Sequence, residues 1–214
     1  MNKIRKILSL NIFQFIYYNF FCKRIVRDKG CYIIPIRGAA FELHKRSKLI
    51  LHANVLLNIN KYTRSHAECY LRLRDGAEMI VTGNVNMYYG ATIEVHVNGN
   101  LTIGQCHINT GAVIICAYKM KIGSGVLIAR LVHIMDSDTH HVFDEDGNKT
   151  NIPKEVIIGD NVWLGVKSTI LRGVTIGCGS IVSANSVVLN RVKEHVLVAG
   201  MPARVFSEVK DWRP

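Results

Sequence analysis

Proline is scarce in this chain, four residues in 214, so no proline-rich linker divides it. Its six cysteines (Cys22, Cys31, Cys69, Cys106, Cys116, Cys178) are scattered and never form a CxxC pair. That pattern excludes a disulfide framework and the common zinc frameworks, and points to reduced thiols in a cytoplasmic protein. The aromatic-glycine signatures of RNA-binding sheets are missing, as are zinc-finger and leucine-zipper spacings, so no nucleic-acid partner is expected. Acids are missing from one region in particular. Residues 1–72 hold 14 Lys/Arg against 3 Asp/Glu, and the remainder is balanced at 13 against 13, so the whole net charge of +11 belongs to the first third. Such a basic end suits an anionic membrane surface or an acidic substrate.

No long uninterrupted apolar run is present either. The stretch from Ile7 to Cys22 is broken by Ser9, Asn11, Gln14 and Asn19, and falls short of the roughly 20 residues a spanning helix needs. No small-residue cleavage site follows it, which argues against a signal peptide. Ile4, Leu8, Ile12, Phe15, Ile16 and Phe20 approximate one helical face. Residues 1–30 therefore read as a basic amphipathic helical segment. It would either pack on the protein or a neighbouring subunit, or lie peripherally at the inner face of the membrane.

What the chain has in place of these features is a rhythm. From Ile158 it divides every six residues into IGDNVW, LGVKST, ILRGVT, IGCGSI and VSANSV, with Ile, Leu or Val first and Val or Ser fifth. The phase extends upstream through Ile122, Ile128 and Ile134, and again through Val85, Ala91, Val97 and Ile103, with a one-residue slip near Cys116–Tyr118. Neither a helix nor an alternating strand has period six. A solenoid of short strands does: the first-place aliphatic points inward onto its equivalents, and three hexapeptides close a triangular turn. The expected fold is mainly β, a parallel β-helix over residues 75–206. Residues 31–74 read as a lead-in with irregular first coils, about 136–154 as a protruding loop, and 207–214 as a tail.

The hexapeptide pattern, with "DTHH" (Asp138–His141), "IGDNVWLG" (Ile158–Gly165), "GVTIG" (Gly173–Gly177) and "AGMPARV" (Ala199–Val205), resembles the left-handed β-helix acyltransferases. Within them it is most similar to the maltose/galactoside O-acetyltransferases and their relatives in polysaccharide synthesis. The resemblance implies transfer of acetyl from acetyl-CoA to a sugar or glycan hydroxyl, no metal, and a homotrimer with sites between subunits. Direct attack on a thioester needs a general base, oxyanion donors and a groove for the CoA arm. The family's base stands in Thr-His-Pro, which matches Thr139 and His140 here, with His141 in the proline place and as the fallback base. Asp136 and Asp138 are near enough in sequence to orient the imidazole. Asn109 matches an acceptor-site asparagine and occupies a repeat position where an aliphatic is expected. Gly165, Ala184 and Arg204 match CoA-binding positions, with Lys167 and Ser183 candidates by type. A Thr-Lys pair common in the family is replaced by Leu189 and Asn190.

Rival readings are an N-acyltransferase on an amino-sugar nucleotide, a β-helix zinc hydro-lyase using His107, His133, His140 and His141, and a silent trimeric scaffold.

Overall fold

The computed structural model describes residues 9–62 and 64–213. Strands β1 (Ile25–Arg27), β2 (Ile33–Pro35) and β3 (Ala39–Leu43) complete one turn of the chain, and each opens one face of a triangular prism. Later strands stack on them in parallel, giving among the described residues faces of seven, nine and seven strands, of which the last strand, Ala203–Glu208, runs antiparallel. This is a left-handed parallel β-helix.

In the last coils the six-residue phase is the packing phase. First-place Ile158, Leu164, Ile170, Ile176 and Val182 and fifth-place Val162, Ser168, Val174, Ser180 and Ser186 are all buried. The small fifth residue serves the corner. Ser180 Oγ donates to Lys193 O at 2.7 Å, and Ser186 Oγ accepts from Gly200 N at 3.1 Å. Gly165 shows how tight these corners are, because a Cβ there would sit 2.6 Å from Ala184 N.

Upstream, the six-residue phase is kept at most places, with Val85, Ala91, Ile103, Ile122, Ile128 and Ile134 all buried, but it fails where a corner lengthens. Val97, a first-place aliphatic by that count, is a corner residue and 54% exposed, whereas Val95 is fully buried. The inward residues are set by plain alternation within four-residue strands, as in Thr92–Val95 and Asn100–Ile103. The register shows why. One turn separates Leu51 from Val81, Val81 from Ile103, Ile103 from Ile122 and Ile158 from Ile176, which is 30, 22, 19 and finally 18 residues. Longer corners break the period without disturbing the ladder. The ladders also begin at Ile25, well before residue 75.

Among its described residues the N-terminal segment is not one helix. Leu10 bridges to Ile36, Ile12–Ile16 form a single short helix α1, and Tyr17–Phe21 form a π-helical turn. Ile4 and Leu8 lie outside the described residues. The break follows from what the segment does: it closes the open edge of the first coil. Asn11 N donates to Pro35 O at 2.8 Å, and Gln14 Nε2 donates to Ala39 O at 3.0 Å. Buried Asn19 donates to Ile33 O and accepts from Ile33 N. An uncovered first coil would present unpaired backbone groups to any passing strand. A regular helix could not place Asn11, Gln14 and Asn19 on three successive edge groups.

Candidate active site

The candidate residues fall on two different edges of the prism. Between the second and third faces, the corners at Asn109–Ala112, Ala129–Val132, Gly165–Ser168 and Ser183–Ser186 stand one above another. Lys167 N donates to Arg130 O at 2.9 Å, and Ser183 N donates to Val198 O at 2.9 Å. Arg204 pairs across the final hairpin with Ala199. The fold therefore brings Asn109, Gly165, Lys167, Ser183, Ala184 and Arg204 to one column, the Asn109 edge. Lys167, Ala184 and Arg204 are solvent-exposed there. Asn109 is not an orphan: its Nδ2 donates to Ile128 O at 3.0 Å, and its own carbonyl accepts from Ala112 N. That pairing explains how a polar residue replaces an aliphatic at the corner without an unsatisfied group.

The loop leaves from the other side of the third face, after His133–Met135, and rejoins at Val156–Ile158. Here it forms a small hairpin, with Phe143 bridged to Lys149 and Asp144 Oδ1 accepting from Asp146 N and Asn148 N. The base of the hairpin is held by Asn151, a buried residue. Its Nδ2 donates to His140 O at 2.6 Å, and its Oδ1 accepts from Val142 N at 2.8 Å. Thr139 adopts a left-handed backbone angle of 62°, and His140 N donates to Asp138 O at 2.7 Å. The backbone around His140 is thus pinned on both sides while the imidazole projects outward; among the described residues the ring makes no hydrogen bond or ion pair. His141 differs, since its ring packs edge-on against Phe143 at 6.2 Å.

Neither aspartate reaches this imidazole. Asp136 is fully buried, and its two oxygens accept from Ala117 N at 2.7 Å and Tyr118 N at 2.9 Å. It secures the corner where the repeat slips by one residue, which is the reason an acid stands there. Its charge adds to burial in raising the Cys116 thiol. Asp138 is paired with Arg172 at 2.8 Å, and Arg172 also donates to Ile152 O. The expectation that these acids orient His140 is therefore corrected in this chain: both carboxylates are committed elsewhere.

Sequence reasoning missed Asn151 and Arg172. Asn151 carries no signal outside the folded hairpin. Arg172 does carry one. The ladder pairs His133 with Thr169 and Ile134 with Ile170, so removing the loop stacks Asp136 and Arg172 at the same corner, one turn apart.

Asn109 and His140 are not brought together. The strand Val113–Cys116 lies between their edges, a span of about 13 Å at ~3.3 Å per residue. His107 lies on the second face and His133 on the third, so they do not converge with the loop histidines on one metal. Among the described residues, no group of three metal-ligating side chains occurs. Trp163 sits on the outer side of the second face, against Trp212 at 5.9 Å.

A triangular solenoid with one loop bearing an exposed imidazole defines a class, the hexapeptide-repeat acyltransferases. The chain belongs to this family. The model described as the hexapeptide repeat of succinyl-transferase matches residues 155–190. WbbJ of Escherichia coli, an O-acetyl transferase assigned to lipopolysaccharide biosynthesis, is 32% identical over 161 residues, 67% of this chain and 80% of that one. The galactoside O-acetyltransferase of Escherichia coli is 33% identical over 137 residues, 63% of this chain and 66% of that one. The chain thus spans a little under two thirds of the length of this second relative. Among solved structures, the polysialic acid O-acetyltransferase OatWY superposes with a TM-score of 0.63 at 22% identity, covering 89% of this chain and 91% of its own. The polySia-specific acetyltransferase NeuO gives 0.54 at 21%, covering 90% of each. At such identities these two show the fold alone.

Proposed function

We propose that the chain transfers acetyl from acetyl-CoA to a sugar hydroxyl of a surface glycan, with His140 as general base, in a homotrimer whose sites are shared between subunits. The observation that carries this reading is the division of the candidate groups. One edge holds the stacked corners of Gly165, Lys167, Ser183 and Ala184, and the other holds a pinned loop with a free imidazole. No single prism can use both at once, but two prisms side by side can, the loop of one reaching the Asn109 edge of its neighbour. The two O-acetyl transferase relatives support the acyl group and the oxygen acceptor.

In the reaction, the acceptor hydroxyl attacks the thioester carbon while the His140 imidazole takes its proton. The tetrahedral intermediate collapses, the carbon–sulfur bond breaks, and the imidazolium returns the proton to the CoA thiolate. Asn109 and backbone N–H groups of the neighbouring edge are positioned as donors to the oxyanion. The rigid backbone around His140 keeps the base aimed without a carboxylate partner. Fixed geometry of this kind is a large part of what such an enzyme contributes.

The test offers acetyl-CoA with a panel of sugars, amino-sugar nucleotides and glycan lipids, and locates the added acetyl group. His140→Ala should lower transfer about 10²- to 10⁴-fold. Mixing it with an inactive Gly165→Val chain should restore activity, because a hybrid trimer rebuilds one intact shared site. No CoA binding and no transfer to any acceptor, or full activity in His140→Ala, would overturn the reading.

A further inference from the structure

The cap on the first coil has an outer side unlike that of an ordinary solenoid terminus. Terminal units of repeat proteins need a polar outer face to stay soluble. The inner side of this cap faces the coil: Gln14 and Asn19 bond the strand edges, Phe15 packs on Tyr32 at 5.8 Å, and Tyr18 on Phe41 at 4.3 Å. Its outer side presents Ile12, Phe13, Ile16, Tyr17, Phe20 and Phe21, with Phe13 85% and Phe21 69% exposed. Around this apolar patch stand cations. Lys23, Lys29 and Lys45 are exposed; among the described residues Lys23 and Lys29 have no acidic partner, while Lys45 adds its charge to those around Asp75. A groove of about 320 Å³ combines the two chemistries, lined by Tyr17, Phe21, Cys22, Lys23, Arg24 and Lys45. Arg24 is fixed within it, donating to Leu43 O and to the Tyr17 hydroxyl.

We infer that this base is a docking surface for a lipid bilayer containing anionic lipids, with the aromatic patch entering the headgroup region and Lys23, Arg24 and Lys45 meeting phosphates. Charge decides between this occupant and a second copy of the chain. Base-to-base packing would bring two copies of the Lys23, Arg24 and Lys45 cluster together, whereas an anionic leaflet attracts that cluster. Among the described residues no helix is long and apolar enough to cross a membrane, so the contact is interfacial. Because the cap closes the end of the prism, the solenoid stands on the bilayer. The loop with His140 is then on the side away from it, four coil spacings of ~4.8 Å or about 20 Å beyond β3. The inference does not depend on the reaction assigned above.

The experiment is flotation of the full chain with vesicles of phosphatidylcholine alone or with 30% phosphatidylglycerol, taken on the order of a typical anionic fraction, together with sedimentation in the absence of lipid. Binding is expected only to the anionic vesicles and should weaken as salt rises. Phe13→Ser with Phe21→Ser should weaken it roughly tenfold per residue, and Lys23→Glu with Lys45→Glu roughly twentyfold or more. Both variants change exposed side chains, so thermal unfolding and sedimented mass should be unchanged. No binding to anionic vesicles, undiminished binding by the variants, or a sedimented mass halved by Phe13→Ser with Phe21→Ser would overturn the proposal, the last by showing that a second copy covers the patch.

Discussion

The coils before the loop and those after it solve the same packing problem by different rules. After the loop each turn takes 18 residues, so one six-residue count names every inward side chain from Ile158 to Val188. Before it, turns of 19 to 30 residues keep the same ladders with longer corners, so the count still finds Ile122, Ile128 and Ile134 but fails at Val97, where the alternation of the individual strand decides. Their outer surfaces differ as well. The third face of the lower coils carries a register-matched ladder of Glu42, Arg72 and Glu94, flanked by Tyr70, Arg74 and His96. The same column continues toward the upper coils through Ile115 and Met135, both uncharged. Hence a parallel β-helix requires stacked inward aliphatics, while the strict period belongs only to coils whose corners are all minimal.

The largest test of this contrast sets Val95 against Val97. Val95→Ser should cost about 3 kcal/mol, from lost burial and a buried hydroxyl. Val97→Ser should change stability by less than about 0.5 kcal/mol, although a six-residue count marks it as core. Chemical denaturation of the two variants measures both, and comparable losses would restore the hexapeptide rule to the lower coils. The loop dividing the two regions gives the next effect. Asn151→Ala leaves His140 O and Val142 N without their partner and should cost about 1–3 kcal/mol locally. It should lower kcat while thermal unfolding of the solenoid changes little. Hydrogen exchange confined to residues near 140–150 would show that the hairpin alone has loosened.

The smallest effect concerns the charged ladder. Hydrogen bonds from Tyr70 and Arg72 hold the Glu42 carboxyl below its usual range, and Arg46 does the same for Asp75. A carboxylate with a depressed folded pKa contributes stability above its unfolded pKa, roughly 4. That contribution is lost as pH falls through the lower folded value. Glu42→Gln should therefore lower Tm slightly at pH 7 and leave it unchanged near pH 2. Glu42 is exposed and screened, so the difference should shrink in high salt.

Much of this molecule was legible before any coordinates. The inward residues of the last coils, the family and the exposed loop histidine could all be read, because a short-period solenoid writes its core at fixed spacing. The slip near Cys116–Tyr118 could also be read, but not that Asp136 secures it. An acid 18 residues downstream becomes a neighbour only once the coil has closed.

By itself, then, the sequence determined the repeating core, the basic first third and a loop presenting His140, since each depends on local spacing or composition. Tertiary structure alone decided that Asn109 and His140 stand on different edges, that Asp138 belongs to Arg172, and that the N-terminal segment breaks its helix to cap the first coil with its aromatics outward. These depend on corner lengths and on which backbone groups an end coil leaves unpaired, and both are set by pairing between residues far apart in the chain.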